Sequence, residues 1–190
     1  MIMKYWPAPY SHSIDIPSPG FPGSFWEDRD DRYHCGVDIY APEGSGVLSI
    51  EAGKVIEIGI STSPQLVPYW HETSYVLIKN KNEPGHICKY AELGDIKVRV
   101  GDSIRAGQLI GHVGLVLDLD KITDNSPFYI REIMKKENGS MLHFELFKSP
   151  PIKTNVDLDY LGGNWFCDTK PKSLLDPTKY LFSSLNNADL

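Results

Sequence analysis

The chain has 190 residues, of which 41% are hydrophobic and 23% charged, ordinary values for a globular domain. Asp and Glu outnumber Lys and Arg by 25 to 19 and no basic run occurs, which argues against a nucleic-acid-binding protein. No apolar stretch approaches the roughly 18 residues of a membrane span. Three cysteines without a CxxC pair argue against a disulfide framework and favour a reducing compartment.

The first 33 residues are rich in proline, aromatic and acidic residues and carry no helix signal. We predict that residues 1–33 are an extended lead-in that wraps around the domain. Their start lacks the basic and apolar regions of a secretory signal. As written, the sequence therefore predicts a cytoplasmic protein, or an extracytoplasmic one if a leader has been removed.

Short apolar or alternating runs separated by glycine-rich turns follow from residue 34 onward, a pattern typical of antiparallel strands. The 16 glycines and 14 prolines suit such a fold better than a helical bundle. The predicted strands cover residues 46–50, 53–60, 74–79, 86–91, 96–100, 108–113 and 140–147. The predicted fold class is mostly β, with an antiparallel sheet or sandwich core, long loops and at most a short helix.

The strand pattern breaks between residues 115 and 140. Ser126 and Pro127 predict the start of a short helix over residues 128–136, which Asn138 and Gly139 would end. Residues 151–190 are predicted to be a C-terminal extension that packs on the domain. The expected organisation is therefore a lead-in at 1–33, a central domain at 34–150 and an extension at 151–190.

Two segments carry candidate metal ligands. His34 and Asp38 lie four residues apart with Gly36 between them, so both side chains can reach one ion if the chain turns at the glycine. Residues two apart in a strand share a face, so His143 and Met141 point the same way. Taken alone, each pattern also fits ordinary structural residues. Two histidines and one carboxylate would leave a fourth tetrahedral position open for water, as in catalytic zinc sites.

An ordered series of motifs gives these residues a context. They are the runs 34–39 (HCGVDI), 53–55 (GKV), 75–78 (YVLI), 89–93 (KYAEL), 100–111 (VGDSIRAGQLIG) and 142–145 (LHFE). Together they resemble the M23 (lysostaphin or LytM-type) zinc metallopeptidases, whose known members cut peptide cross-links in bacterial cell walls. The resemblance implies an M23-like zinc domain with a duplicated hybrid motif, and one zinc ion held by His34, Asp38 and His143.

The sequence departs from this family at two catalytic positions. The family uses a histidine in a Tyr-x-His-Leu segment and another two residues before the last ligand, where this chain has Glu92 and Met141. Glu92 could act as the general base, orient a ligand histidine, or be a solvated residue at a strand end. Met141 is expected to pack over the metal. Tyr90, two residues before Glu92, is a candidate donor to an oxyanion.

Two long loops, 61–74 and 115–140, are expected to form the walls of a groove or merely to thicken the domain. Trp70 and His71 are candidate rim residues, and His71 either replaces a missing catalytic histidine or is a surface residue. The resemblance implies a zinc metalloendopeptidase with an altered base, acting on a peptide or peptidoglycan-like ligand. The alternative is a non-catalytic module that retains zinc and recognises a peptide or glycan in the same groove. The oligomeric state stays open.

Overall fold

A computed structural model describes residues 3–82, 85–135, 139–148 and 159–185. Its strands are β1 (Tyr33–His34), β2 (Val37–Tyr40), β3 (Gly46–Leu48), β4 (Gly53–Thr62), β5 (Thr73–Asn80), β6 (Ile87–Ile96), β7 (Ser103–Ile104), β8 (Leu109–Val113), β9 (Met141–Phe147), β10 (Tyr160–Leu161), β11 (Asn164–Trp165) and β12 (Leu174–Leu175). The α-helices are α1 (Phe128–Lys135) and α2 (Thr178–Phe182), and a 3-10 turn covers Leu119–Lys121. Among these described residues, no helix is long and apolar enough to span a membrane.

The strands form one large and one small antiparallel sheet. The large sheet has nine strands in the main order β12-β9-β6-β5-β4-β7, while β2 pairs with β9, and β8 joins β6 to β3. The small sheet has the order β1-β11-β10 and brings residues of the C-terminal extension against β1. The predicted fold class, a mostly antiparallel β protein with long loops and little helix, is confirmed.

The predicted strand over residues 96–100 is wrong. Ile96 is the last residue of β6, and the chain then turns, because the Arg99 amide donates to the Asp102 side chain at 2.8 Å and Gly101 has a φ of +96°. Val100 is 60% exposed. The apolar alternation at 96–100 therefore belongs partly to a strand end and partly to a turn. The predicted helix is present as α1, and residue 136, its predicted last residue, lies outside the described residues.

One face of the large sheet packs the main hydrophobic core. Phe144 of β9 and Tyr90 of β6 are fully buried there, and their rings contact edge to face at 5.3 Å. Trp6 of the lead-in and Leu181 of α2 are also buried in this core, although neither belongs to the sheet. Since successive residues of a strand point to opposite faces, the neighbours of Phe144 on β9 point away from this core.

Strand register places the candidate ligands on that opposite face. His143 of β9 lies directly opposite Asp38 of β2 on one side and Ala91 of β6 on the other. His34 is the last residue of β1 and lies opposite Asn164 of β11 in the small sheet. From this position its side chain reaches the same point. The sheet thus brings together residues separated by more than 100 positions in the chain.

Candidate metal centre

Three donor atoms converge at the centre of the candidate site. The Oδ1 atom of Asp38 lies 3.1 Å from Nε2 of His34 and 2.9 Å from Nδ1 of His143, and the two nitrogens are 3.0 Å apart. All three residues are at most 4% exposed. A shared metal ion is a direct way to hold three such atoms within contact distance of each other.

Hydrogen bonds on the far side of each histidine fix its tautomer. His34 donates from Nδ1 to the carbonyl oxygen of Ser24 at 2.8 Å, and His143 donates from Nε2 to Oε1 of Glu145 at 3.0 Å. Because both acceptors are oxygens without a proton, the neutral form of each histidine carries its lone pair on the nitrogen that faces Asp38. With both histidines neutral, three lone pairs point at one another, an arrangement that either a metal ion or a proton on His143 stabilises.

The spacing of these atoms fits a tetrahedral metal ion. Zinc binds histidine nitrogen and carboxylate oxygen at about 2.0–2.2 Å, so neighbouring ligand atoms in a tetrahedral site lie about 3.3 Å apart. The observed separations of 2.9 to 3.1 Å are slightly shorter and nearly equal. The group His34, Asp38 and His143 can thus hold one metal ion with only small movements of the side chains.

Glu145 anchors His143 from behind. Its Oε1 atom accepts hydrogen bonds from His143, from Nζ of Lys89 at 3.0 Å and from the Tyr160 hydroxyl at 2.5 Å. Lys89 and Tyr160 also contact each other. Burial opposes the ionised form of Glu145, but Lys89 and His143 outweigh it and lower its pKa below the ordinary range. A buried carboxylate is therefore available to orient the histidine, as such groups do in many metal sites.

The protonation of the site depends on its neighbours. Burial favours neutral His143, but hydrogen bonds to Asp38 and Glu145 outweigh burial and raise the pKa of His143 to about 9 without a metal. Burial and the charge of Arg29 lower the pKa of His34. Burial opposes the ionised form of Asp38, but the two histidines outweigh it and hold its pKa well below the usual value. A metal ion would therefore have to displace a proton from His143.

Glu92 faces the site because of a bulge in β6. Its φ of +65° is a conformation that non-glycine residues seldom adopt, and the pairing of β6 with β5 shifts register beside it. Glu92 lines the cavity next to the three ligands, is 8% exposed, and its Oε2 atom has no hydrogen-bond partner. Burial and the charge of Asp38 raise its pKa to about 8. The carboxyl group of Glu92 therefore lies beside the three candidate ligands with one unpartnered oxygen.

The structure contradicts the prediction that Tyr90 donates to an oxyanion. Tyr90 is completely buried in the core, where its hydroxyl accepts a hydrogen bond from the Ile50 amide at 2.9 Å. The prediction assumed regular alternation, which would place Tyr90 and Glu92 on one face of β6. Lys89 and Ala91 face the site by regular alternation, and the bulge at Glu92 brings Glu92 to the same face while Tyr90 stays in the core.

The remaining predicted site residues divide into two groups. Met141 and Trp70 both line the cavity beside the ligands, and both are at most 6% exposed. His71 does not line this cavity, and its backbone amide donates to the carbonyl of Val116 at 2.7 Å. The structure therefore does not bring His71 to the positions of the missing histidines.

The cavity beside the ligands is small. Its volume of about 40 Å³ holds only a few water molecules. The turn between β10 and β11 covers it, and only glycine fits there, since a Cβ atom on Gly163 would lie 2.6 Å from the ring of His143. A much larger groove of about 870 Å³ lies next to this turn. Its lining residues include Lys89, Glu145 and Tyr160. Gly162 of the turn lines both the small cavity and the groove.

Sequence reasoning missed three residues that shape the site. Arg29 of the lead-in contacts Asp38, Tyr160 contacts Glu145, and Asn164 receives a hydrogen bond from Arg29. The available signal for Arg29 was an arginine inside the acidic run at residues 27–31. Tyr160 and Asn164 belong to no pattern that a single sequence reveals.

Comparisons with known proteins agree with this geometry. The sequence model of peptidase family M23 matches residues 32–157. Lysostaphin of Staphylococcus simulans is 36% identical over 81 residues, which are 43% of this chain and 15% of that protein. The glycyl-glycine endopeptidase ALE-1 of Staphylococcus capitis is 33% identical over 81 residues, again 43% of this chain and 20% of that protein. The chain thus matches only a small part of each relative's length.

A structural comparison gives the same relationship. The solved structure of the antimicrobial peptidase lysostaphin from Staphylococcus simulans superposes with a TM-score of 0.52 at 21% identity, covering 92% of this chain and 55% of that one. At this identity the likeness concerns the fold.

Proposed function

Because the chain belongs to peptidase family M23, we propose that it is a zinc-dependent peptidase with an altered proton-transfer residue. In this proposal His34, Asp38 and His143 hold one zinc ion, and Glu92 takes over proton transfer. The observation that carries the proposal is the convergence of three possible ligand atoms beside a buried carboxyl oxygen of Glu92 that has no partner.

The zinc ion, when bound, would polarise the peptide carbonyl group and lower the pKa of a water molecule. The chain's own residues supply the remaining functions. Glu92 would take a proton at Oε2 from the attacking water and return it to the nitrogen of the departing amine. Met141 cannot transfer protons, since a thioether has no acidic proton, and contributes packing beside the ligands.

The pKa of Glu92 suits this role. The pKa of Glu92 is about 8 in the metal-free protein, close to neutral pH. A group whose pKa lies near the working pH can both accept and release a proton, whereas a carboxyl group with its ordinary pKa stays ionised. A nearby cation favours the ionised form and would lower this pKa towards neutrality. Burial and a neighbouring carboxylate thus tune Glu92 towards the range in which a general base works.

A peptide or peptidoglycan-like substrate is the class that the relatives support. Two of them carry the names lysostaphin and glycyl-glycine endopeptidase. The groove of about 870 Å³ offers space for an extended peptide next to the site. For a cell-wall substrate, the protein would act outside the cytoplasm.

A second function is favoured by one observation. The cavity at the ligands holds only a few water molecules, and Met141 occupies a position where the family has a catalytic histidine. A zinc-retaining module that binds a peptide or glycan in the larger groove would need no open path to the metal.

Zinc content and hydrolysis together separate the two functions. Purified protein should contain about one zinc ion per chain and cleave peptidoglycan or glycine-rich peptides. The variant Glu92→Gln should keep zinc and lose most activity, whereas Glu72→Gln, at an exposed loop position, should behave as wild type. Zinc without cleavage, but with measurable peptide or glycan binding, would instead favour the binding module.

A further inference from the structure

We propose that Arg29 is a positioning residue that holds Asp38 as a one-oxygen metal ligand. This inference rests on the proposed metal site. It assigns a role to the lead-in, which contains none of the three ligands but surrounds two of them.

The segment 23–29 forms hydrogen bonds with two of the ligand residues. The Asp38 amide donates to the carbonyl of Gly23 at 2.9 Å, and His34 donates from its ring to the carbonyl of Ser24 at 2.8 Å. The His34 amide donates to the carbonyl of Glu27 at 3.0 Å. Both the backbone of the two ligands and the tautomer of His34 therefore depend on this segment.

Arg29 is the charged group of the segment that reaches the site. Its Nη2 atom lies 3.4 Å from Oδ2 of Asp38, while Nε and Nη2 contact Oε2 of Glu27 at 3.1 and 3.0 Å. Its Nη1 atom donates to Oδ1 of Asn164 at 3.1 Å, and its guanidinium lies 4.8 Å from the ring centre of Tyr129. The side chain is 8% exposed, so water competes little for these contacts.

The two oxygens of Asp38 have separate partners. Oδ1 faces the two histidines, and Oδ2 faces Arg29. A carboxylate whose second oxygen is engaged by a guanidinium cannot readily turn both oxygens to one metal ion. Since the guanidinium is planar and its donors point in fixed directions, its bonds to Glu27 and Asn164 also fix where it meets Asp38.

Glu27 completes the arrangement. Its Oε2 atom accepts from the amide of Gly23 at 2.9 Å as well as from Arg29, so the two ends of the segment 23–29 are tied together. A lysine at position 29 would keep the positive charge but could not reach Asp38, Glu27 and Asn164 from one rigid plane. The inference therefore concerns geometry and not charge alone.

The test compares Arg29→Met and Arg29→Lys with the matched variants Arg32→Met and Arg32→Lys. Arg32 also lies in the lead-in, but it pairs with the exposed Asp31 and not with a ligand. Zinc affinity is measured by competition with a chromophoric chelator, and the coordination of Co²⁺ by its visible absorption. Far-ultraviolet circular dichroism checks that each variant is folded.

We expect both Arg29 variants to bind zinc about 10–100-fold more weakly, the usual effect of losing a partner of a metal ligand. Their Co²⁺ absorption should weaken as Asp38 gains a second bond to the metal. Both Arg32 variants should match wild type. Wild-type affinity and spectrum in Arg29→Met would overturn the inference while leaving the metal site intact, and so would full recovery in Arg29→Lys. A wild-type protein that binds no zinc would overturn the proposed function as well.

Discussion

Asp38 and His143 occupy directly opposed positions of β2 and β9, with Oδ1 2.9 Å from Nδ1. This pairing is a property of strand register, because a shift of one residue would turn His143 into the core and Phe144 towards the site. The candidate metal centre is therefore built into the sheet and not carried by a loop.

Removing His143 should remove the metal. We expect His143→Ala to lose its bound zinc and the stabilisation that zinc provides, about 2.7 kcal/mol when free zinc exceeds Kd by 100-fold. Thermal unfolding with and without EDTA measures this difference. The variant His112→Ala, at a partly exposed histidine paired with Asp95, should keep the full response to zinc. Normal zinc content in His143→Ala would refute the assigned ligands.

Zinc affinity should depend strongly on pH. The pKa of His143 is about 9 in the metal-free protein, so a proton occupies the site below that value and zinc must displace it. Affinity should therefore rise about tenfold per pH unit between pH 6 and 8. Isothermal titration in several buffers would also record the released proton. Replacing Glu145 with Gln removes one cause of the raised pKa and should shift this dependence to lower pH.

Changing Glu92 to Gln should separate catalysis from metal binding. Loss of a general base typically reduces the rate by about 10²–10⁴-fold, and the amide keeps nearly the same shape. Zinc content should stay at the wild-type level. The measurement is kcat/KM on a glycine-rich peptide, with Glu72→Gln as control. Equal cleavage by wild type and Glu92→Gln would remove Glu92 from the reaction.

Glu92 should also affect the stability of the metal-free protein. Its folded pKa of about 8 lies above its ordinary value, so it stabilises the fold at acidic pH and this contribution is lost as the pH rises towards 8. The free energy of unfolding of metal-free wild type should thus fall more than that of Glu92→Gln between pH 5 and 8. Urea titrations at several pH values test this, and parallel curves for the two proteins would contradict it.

The hydroxyl of Tyr160 should matter for metal binding without touching the metal. Tyr160→Phe removes one donor to Glu145, which orients His143. We expect zinc affinity to fall about tenfold, because the loss of a group that orients a metal ligand usually weakens metal binding by about 10–100-fold and Lys89 still contacts Glu145. The control Tyr10→Phe changes a tyrosine that is 70% exposed. Affinities that differ by less than the error of the chelator competition would show that Lys89 alone suffices.

Local alternation predicted the sheet, and the ordered motifs, through the family resemblance, predicted that three side chains lie together. His34, Asp38 and His143 meet as the resemblance implied. The prediction for Tyr90 was wrong because a single bulge at Glu92 changes which residues share a face. The local sequence pattern gives no sign of this bulge. Arg29 was missed because an arginine within an acidic run does not show which carboxylate it contacts, and its bond to Asn164 joins residues 135 positions apart.

The contact between Arg29 and Asn164 has a consequence for how this protein is divided. The segment that matches the family runs from 32 to 157 and holds every proposed ligand, but neither of these two residues nor Tyr160. A fragment with those limits would retain the ligands and Glu145, but it would lack Arg29, Tyr160 and Asn164. The residues that surround the proposed metal site therefore extend beyond both ends of the segment that matches the family.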